Sequence, residues 1–261
     1  MRRHLLFIVL ALGLDLAAMG IILQPSAYHH AASGLTLLHS PSSNSRIHPS
    51  LQTTGLESSV TRFFGLSQLP FYNFHLAVKR ARMGFSLGSS LLDNHLYQEF
   101  TTNLGFSYRW ANISWGSSCH YLRTKTENFS SHSGWTLQQS LAWQEKYFST
   151  VFTFYNILNS KLAQEEIPQI LLWETALPIS DKSILSIGLE KEVNYDFSLK
   201  LGSSYQIFSN FKILSSYQYQ PDRLGIGMIF SLSQLEICYA IRTHPHLDLS
   251  HYITIYYEIF N

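Results

Sequence analysis

Beyond residue 57 the apolar positions of this chain recur at every second residue. Tyr72, Phe74, Leu76 and Val78 alternate with Asn73, His75, Ala77 and Lys79. Leu104, Phe106, Tyr108 and Trp110 alternate with Asn103, Gly105, Ser107 and Arg109. The same rhythm returns at Ile226, Met228 and Phe230, at Ile237, Tyr239 and Ile241, and at Ile253, Ile255, Tyr257 and Ile259. Successive side chains of a strand point to opposite faces, so the pattern predicts strands with one apolar face and one smaller, more polar face. Fourteen such segments follow, near 57–66, 71–82, 84–93, 97–110, 112–122, 135–146, 149–158, 169–178, 183–191, 196–208, 211–220, 224–232, 235–243 and 251–260. No segment holds a helical period.

The connections alternate in length. After even-numbered strands they are tight: Met83, Ala111, Tyr147-Phe148, 179–182, Ser209-Asn210 and Ser233-Gln234. After odd-numbered strands most are longer, as at 123–134, 159–168, 192–195 and 244–250. Tight turns on one side and longer loops on the other are the signature of a transmembrane β-barrel. The expected fold is therefore all-β, an antiparallel transmembrane barrel of about fourteen strands over 57–261. An even strand count puts both termini on one side, expected to be the periplasm of a Gram-negative cell. In a soluble sandwich or lipocalin-like barrel the apolar face would point inward and charge would cover the outside. Here the non-apolar face is mostly Ser, Gly, Thr and Gln, which suits a lumen. Tyr72, Trp110, Trp135, Trp143 and Tyr257 lie near strand ends, where interfacial girdles form.

Composition sharpens this. Hydrophobic residues make up 46% of the 261 and charged residues 13%, against roughly 25% charge in a soluble domain. A surface facing lipid tolerates that; a surface facing water does not. A net charge of +1 gives no indication of a nucleic-acid partner.

Arg2, Arg3 and His4 precede an apolar run from Leu5 to Leu14, and Ala18-Met19-Gly20 supplies small residues for cleavage. Residues 1–20 are expected to be a signal peptide. Residues 21–56, rich in Ser, His and Pro and without a period, are expected to be an irregular segment that could plug the lumen. Its histidines, His29, His30, His39 and His48, are expected to be exposed and without special role. Parity places Cys119 on the outward and Cys238 on the inward face, which predicts two free thiols. Glu99, Arg109, Glu190, Lys200, Glu236 and Arg242 are expected to face the lumen and pair across strands.

The C-terminal stretch carries a resemblance. Tyr239-Ala240, His244-Pro245-His246-Leu247-Asp248-Leu249-Ser250-His251 and Ile253-Thr254-Ile255-Tyr256-Tyr257 resemble the last hairpin of the PorV/PorQ group. Those are outer-membrane barrels associated with type IX secretion, similar in turn to the FadL long-chain fatty-acid transporters and their fourteen-stranded barrels. Asp248 stands where the group has Gly, Ser250 replaces Thr, and Phe260-Asn261 follow the usual terminal position at Ile259. More faintly, His48-Pro49-Ser50-Leu51 resembles the element that opens such barrels, and Tyr97-Gln98-Glu99-Phe100 the start of an early strand.

No Gly-x-Ser-x-Gly, His-Glu-x-x-His or phosphate-binding glycine loop occurs. No enzymatic activity, cofactor or metal is expected, although His244, His246 and His251 have a spacing that could hold Zn²⁺. The resemblance implies a docking or assembly partner in protein secretion, with His244, Pro245, His246, Leu247, Leu249 and His251 as candidate contacts. The alternative is a FadL-like channel for small hydrophobic compounds, with 21–56 in its lumen. The resemblance also implies that Ile255, Tyr257, Ile259 and Phe260 form the C-terminal assembly signal. Expected partners are outer-membrane lipid, the barrel-assembly machinery, and secretion-system proteins or hydrophobic small molecules.

Overall fold

Fourteen strands close on themselves. The computed structural model describes residues 26–66, 69–94, 96–127, 129–162 and 165–259. The expected signal peptide and Phe260 lie outside these. The strands are β1 Gly55–Arg62, β2 Pro70–Arg80, β3 Met83–Asn94, β4 Tyr97–Trp110, β5 Ile113–Thr126, β6 His132–Gln144, β7 Ser149–Tyr155, β10 Ile170–Ser180, β11 Ser183–Glu192, β12 Ser198–Phe208, β13 Phe211–Tyr219, β14 Arg223–Leu232, β15 Leu235–Arg242 and β16 Ser250–Tyr257. Two short strands, β8 Lys161–Leu162 and β9 Glu165–Glu166, make a separate hairpin in the 156–169 connection. Every barrel strand pairs antiparallel with its neighbours, and β1 pairs with β16 from Leu56↔Tyr257 to Arg62↔His251 to close the wall. Closure leaves no strand edge unpaired, which a wall standing in hydrocarbon requires.

All fourteen expected strands are present, with small differences at their ends. The barrel begins at Gly55 rather than residue 57, because Gly55, Glu57, Ser59 and Thr61 carry the inward parity. It breaks after Arg62, where Phe64 takes a left-handed φ of 54° in a 3-10 turn. The first tight turn is 81–82 rather than Met83, and Met83 already pairs with Arg80. β5 and β6 run to Thr126 and back from His132, so that loop is shorter than expected. The closing strand ends at Tyr257, leaving Ile259 beyond it.

Alternation sets the two faces. Outward stand Leu104, Leu141, Phe152, Leu185, Ile226, Phe230 and Ile255, all exposed. Tyr72 and Trp135 near the loop end and Trp110, Trp143 and Tyr257 near the turn end extend this apolar belt at both rims. Such an exterior is stable only against lipid. Inward stand Ser90, Thr101, Asn103, Ser118, Ser140, Thr153, Ser204 and Thr254, all buried. Cys119 lies on the outward face opposite Leu104, Cys238 is buried inside, and both are free thiols, as parity predicts.

The core lies inside the barrel. Ala27, Tyr28, Leu35 and Leu38 pack against Leu214, Ile229, Ala240 and Tyr252 of the wall. Residues 26–54, which include α1 Ala27–Ala31 and α2 Asn44–Ile47, are mostly buried by this packing.

Candidate functional site

The inner segment 26–54 is unusually polar for something so buried, and each polar group needs a partner there. The wall supplies many of them, from eight of its strands. Glu174 on β10 accepts from the Thr36 amide at 2.7 Å, from Thr36 Oγ1 at 2.9 Å and from the Leu37 amide at 2.8 Å. Ser186 Oγ donates to the same carboxylate at 2.8 Å. Glu57 on β1 accepts from Ser43 Oγ at 2.6 Å and from the Ser43 amide at 3.2 Å. Glu236 on β15 holds His39 Nε2 at 2.8 Å and accepts from Tyr28 Oη at 3.4 Å.

Neutral contacts complete the seat. Thr254 Oγ1 accepts from the Ala27 amide and Ser140 Oγ from the Ser50 amide, at 2.8 and 2.6 Å. Ser216 Oγ donates to the Ala31 carbonyl at 2.7 Å, and Gln138 Nε2 donates to the Ile47 carbonyl. Arg46, fully buried, reaches Asn73 Oδ1 at 2.8 Å and Ser90 Oγ at 2.9 Å. Hydrogen bonds of this kind contribute on the order of 1 kcal/mol each, and more when one partner is charged. Thirteen of them, from eight strands, fix the segment in one position.

Glycine lets its backbone approach the wall. A Cβ at Gly225 would stand 2.5 Å from the His30 carbonyl oxygen and 2.6 Å from that of Ala31. A Cβ at Gly116 would overlap the Pro49–Ser50 peptide. Both glycines are inward positions where any side chain would push the segment away.

The segment's histidines are not exposed, contrary to expectation. His29 bonds Ser26 Oγ at 2.8 Å and Asn44 Oδ1 at 2.9 Å, and His30 stacks on Tyr252 with centroids 3.6 Å apart. His48 Nδ1 meets Thr153 Oγ1 at 2.5 Å. Burial drives the pKa of both His29 and His48 down to about 3, so both are neutral. Ser26, His29 and Asn44 form a serine–histidine–asparagine contact, but all three are sealed in the core and none lines the neighbouring cavity. That cavity of ≈ 20 Å³ lies between the segment and β10–β12, beside Leu35, His48, Glu174, Gly188, Glu190 and Lys200. It has room for about one water molecule.

The lumenal charges pair differently from expectation. Glu190 and Lys200 join across strands, at 2.5 Å. Glu236 turns to His39 of the segment, Glu99 accepts from Tyr97 Oη at 3.0 Å, and Arg242 donates to Gln218 at 2.5 Å. Arg109 sits at the turn-end rim, its Nε donating to the Ala111 carbonyl at 3.0 Å. For Glu236 the reason is the filled lumen, which sets the segment where water or an opposing charge would stand. Glu57 and Glu174 were missed by sequence reasoning. Their only signal is a carboxylate at inward parity, and for Glu174 the apolar neighbours Leu171, Leu172 and Trp173 hide that parity.

The 243–249 loop spans β15 and β16 at the other rim. Leu247 and Leu249 are exposed, and Pro245 and His246 lie at the tip of the same loop. The His246 amide donates to His244 Nδ1 at 3.2 Å, and the His244 ring meets Phe64 edge-on at 5.2 Å. Partial burial and the nearby Arg223 lower the His244 pKa to about 4. His251 belongs to β16 and meets Tyr239 Oη at 2.8 Å on the outer face. Among the described residues no group of three metal-ligating side chains comes together. Ile255 and Tyr257 face outward on β16.

No family model matches the chain, and no curated protein matches it in sequence. Solved structures do. The monoaromatic hydrocarbon channel CymD aligns with a TM-score of 0.69 at 10% identity, over 90% of this chain and 98% of that one. The toluene transporter TodX of Pseudomonas putida aligns with a TM-score of 0.64 at 10% identity, over the same 90% and 98%. The TodX deltaS2S3 mutant, a monoaromatic hydrocarbon channel, gives 0.69 at 9% identity, over 90% and 99%. The barrel fold is shared with these channels. At such identity the likeness concerns the backbone path alone.

Proposed function

We propose that this chain is an outer-membrane channel of FadL-like type for small hydrophobic compounds, closed at rest by residues 26–54 acting as a plug. The observation that carries this reading is the polar segment seated inside a barrel that shares its fold with hydrocarbon channels. The wall behind the plug supports an apolar solute. Lifting the segment away would uncover apolar inward side chains, Leu214, Ile229 and Ala240 in one cluster and Leu122, Ile170 and Leu172 in another. The tight turns and both ends of the barrel then face the periplasm, and the long loops face outward.

The secretion-docking reading rests on the last hairpin and on exposed Leu247 and Leu249. Uptake of labelled toluene into proteoliposomes separates the two. The full chain is expected to admit toluene slowly, and removal of residues 26–54 to speed entry. Gly225→Leu, which drives the plug off its seat without deleting it, is expected to do the same. If neither variant, shown folded by heat-modifiable migration, exceeds protein-free vesicles while Leu247→Asp blocks export of a partner protein, docking is the function.

A further inference from the structure

We propose that the turn end of β2–β4 is a binding surface for anionic phospholipid headgroups. Four basic side chains meet there: Lys79 and Arg80 at the end of β2, Arg82 in the 81–82 turn, and Arg109 near the end of β4. The backbone locks them together, since the Arg109 amide donates to the Arg82 carbonyl at 2.7 Å. Lys79, Arg80 and Arg82 are exposed and Arg109 is half-buried. Among the described residues no carboxylate pairs with any of the four. Glu145, on the 145–148 turn, is engaged instead by Asn112 Nδ2 at 2.9 Å and Trp143 Nε1 at 3.0 Å. Other tight turns mix their signs, as Asp181-Lys182 and Glu145-Lys146 do. Four uncompensated positive charges on one rim are particular to this sector.

The register says what they face. Arg80 pairs with Met83, and Met83 pairs with Tyr108. These three share the outward parity, so Arg80 stands at the lower edge of the apolar belt. Beside them Trp110, 75% exposed, pairs with Ile113, which pairs with Trp143. An aromatic girdle marks the depth of the headgroups. A guanidinium at that depth meets lipid phosphate, to which it can offer two parallel donors. Arg80 and Arg82 make the contact, while Lys79 and Arg109 raise the local potential from the rim. The surface depends on the barrel standing in a bilayer and is independent of what the lumen carries.

The test is the lipid shell of the full barrel reconstituted in phosphatidylcholine, probed with spin-labelled phosphatidylglycerol and phosphatidylcholine. Phosphatidylglycerol is expected to be enriched at the protein boundary. Each interfacial Lys or Arg is worth about fivefold in attraction to anionic lipid, so Arg80→Gln with Arg82→Gln should abolish most of that enrichment. Lys182→Gln, on a sign-balanced turn, should leave it unchanged. Equal enrichment in the double variant and the native chain would overturn the proposal. So would displacement of the label by millimolar inorganic phosphate, or a stronger preference for lipid A lost through the same two arginines.

Discussion

The carboxylate of Glu174 closes over the backbone of Thr36: Oε2 accepts from both the amide and the hydroxyl of that residue, while Oε1 takes the amide of Leu37. The two residues lie 138 positions apart. A wall carboxylate that holds two consecutive amides of the inner segment acts as its clamp, and several expectations follow from how it and its neighbours are built.

Glu174→Gln removes one acceptor and turns an amide NH₂ toward donors. A buried donor left without a partner costs about 1–3 kcal/mol. Amide exchange across 35–44 is expected to quicken by one to two powers of ten, while the barrel strands stay protected. Unchanged exchange in that stretch would show that Glu174 does not hold the segment.

Acid should loosen the same seat. His29 and His48 have pKa values of about 3 when seated, against 6.5 when exposed. Below pH 6.5 these two rings take up protons in the released segment that they do not take up when seated, so their contribution to the stability of the seat falls as pH drops from about 6.5 toward 3. Intrinsic-rate-corrected exchange of 28–48 is expected to be faster at pH 5 than at pH 7.5. With His29→Gln and His48→Gln combined, that difference should shrink; a difference of the same size in the double variant would assign it to other groups.

Parity makes a sharp contrast on β14. Met228 faces lipid and Ser231 faces the lumen, where its hydroxyl donates to Glu236 at 3.1 Å. Met228→Arg is expected to lower the stability of the barrel in bilayers by about 2–4 kcal/mol. Ser231→Arg should lower it much less, since the new cation meets a carboxylate. Urea titrations in lipid vesicles compare the two directly.

The closing strand joins β1 through Leu56↔Tyr257 and β15 through Leu235↔Tyr257. Removing residues 257–261 takes away both pairings together with Ile259 and Phe260. The shortened chain is expected to stay in the periplasm and be degraded. Its recovery with the outer-membrane fraction would separate the assembly signal from these residues.

The sequence by itself determined the wall. A two-residue period needs only local information, because each strand writes its own lipid face into alternate positions, as Ile226, Met228 and Phe230 do. It also placed Cys119 and Cys238 on opposite faces and located five of the aromatic residues at the rims. Fourteen alternating segments then gave the even strand count, and that count the common side of the two ends of the barrel. The tertiary structure alone decided what fills the lumen. Residues 26–54 have no period, because their partners are spread over wall strands from β1 to β16 rather than on one packed face. Such contacts join residues that are far apart in sequence, as Ala27 and Thr254 are, and leave no mark on either stretch alone. His29 and His48 therefore read as exposed polar residues until the barrel closes around them and removes water from their rings. Glu57 and Glu174 read the same way, as stray charges on a small polar face. Only closure of the barrel brings to them the amides that they accept.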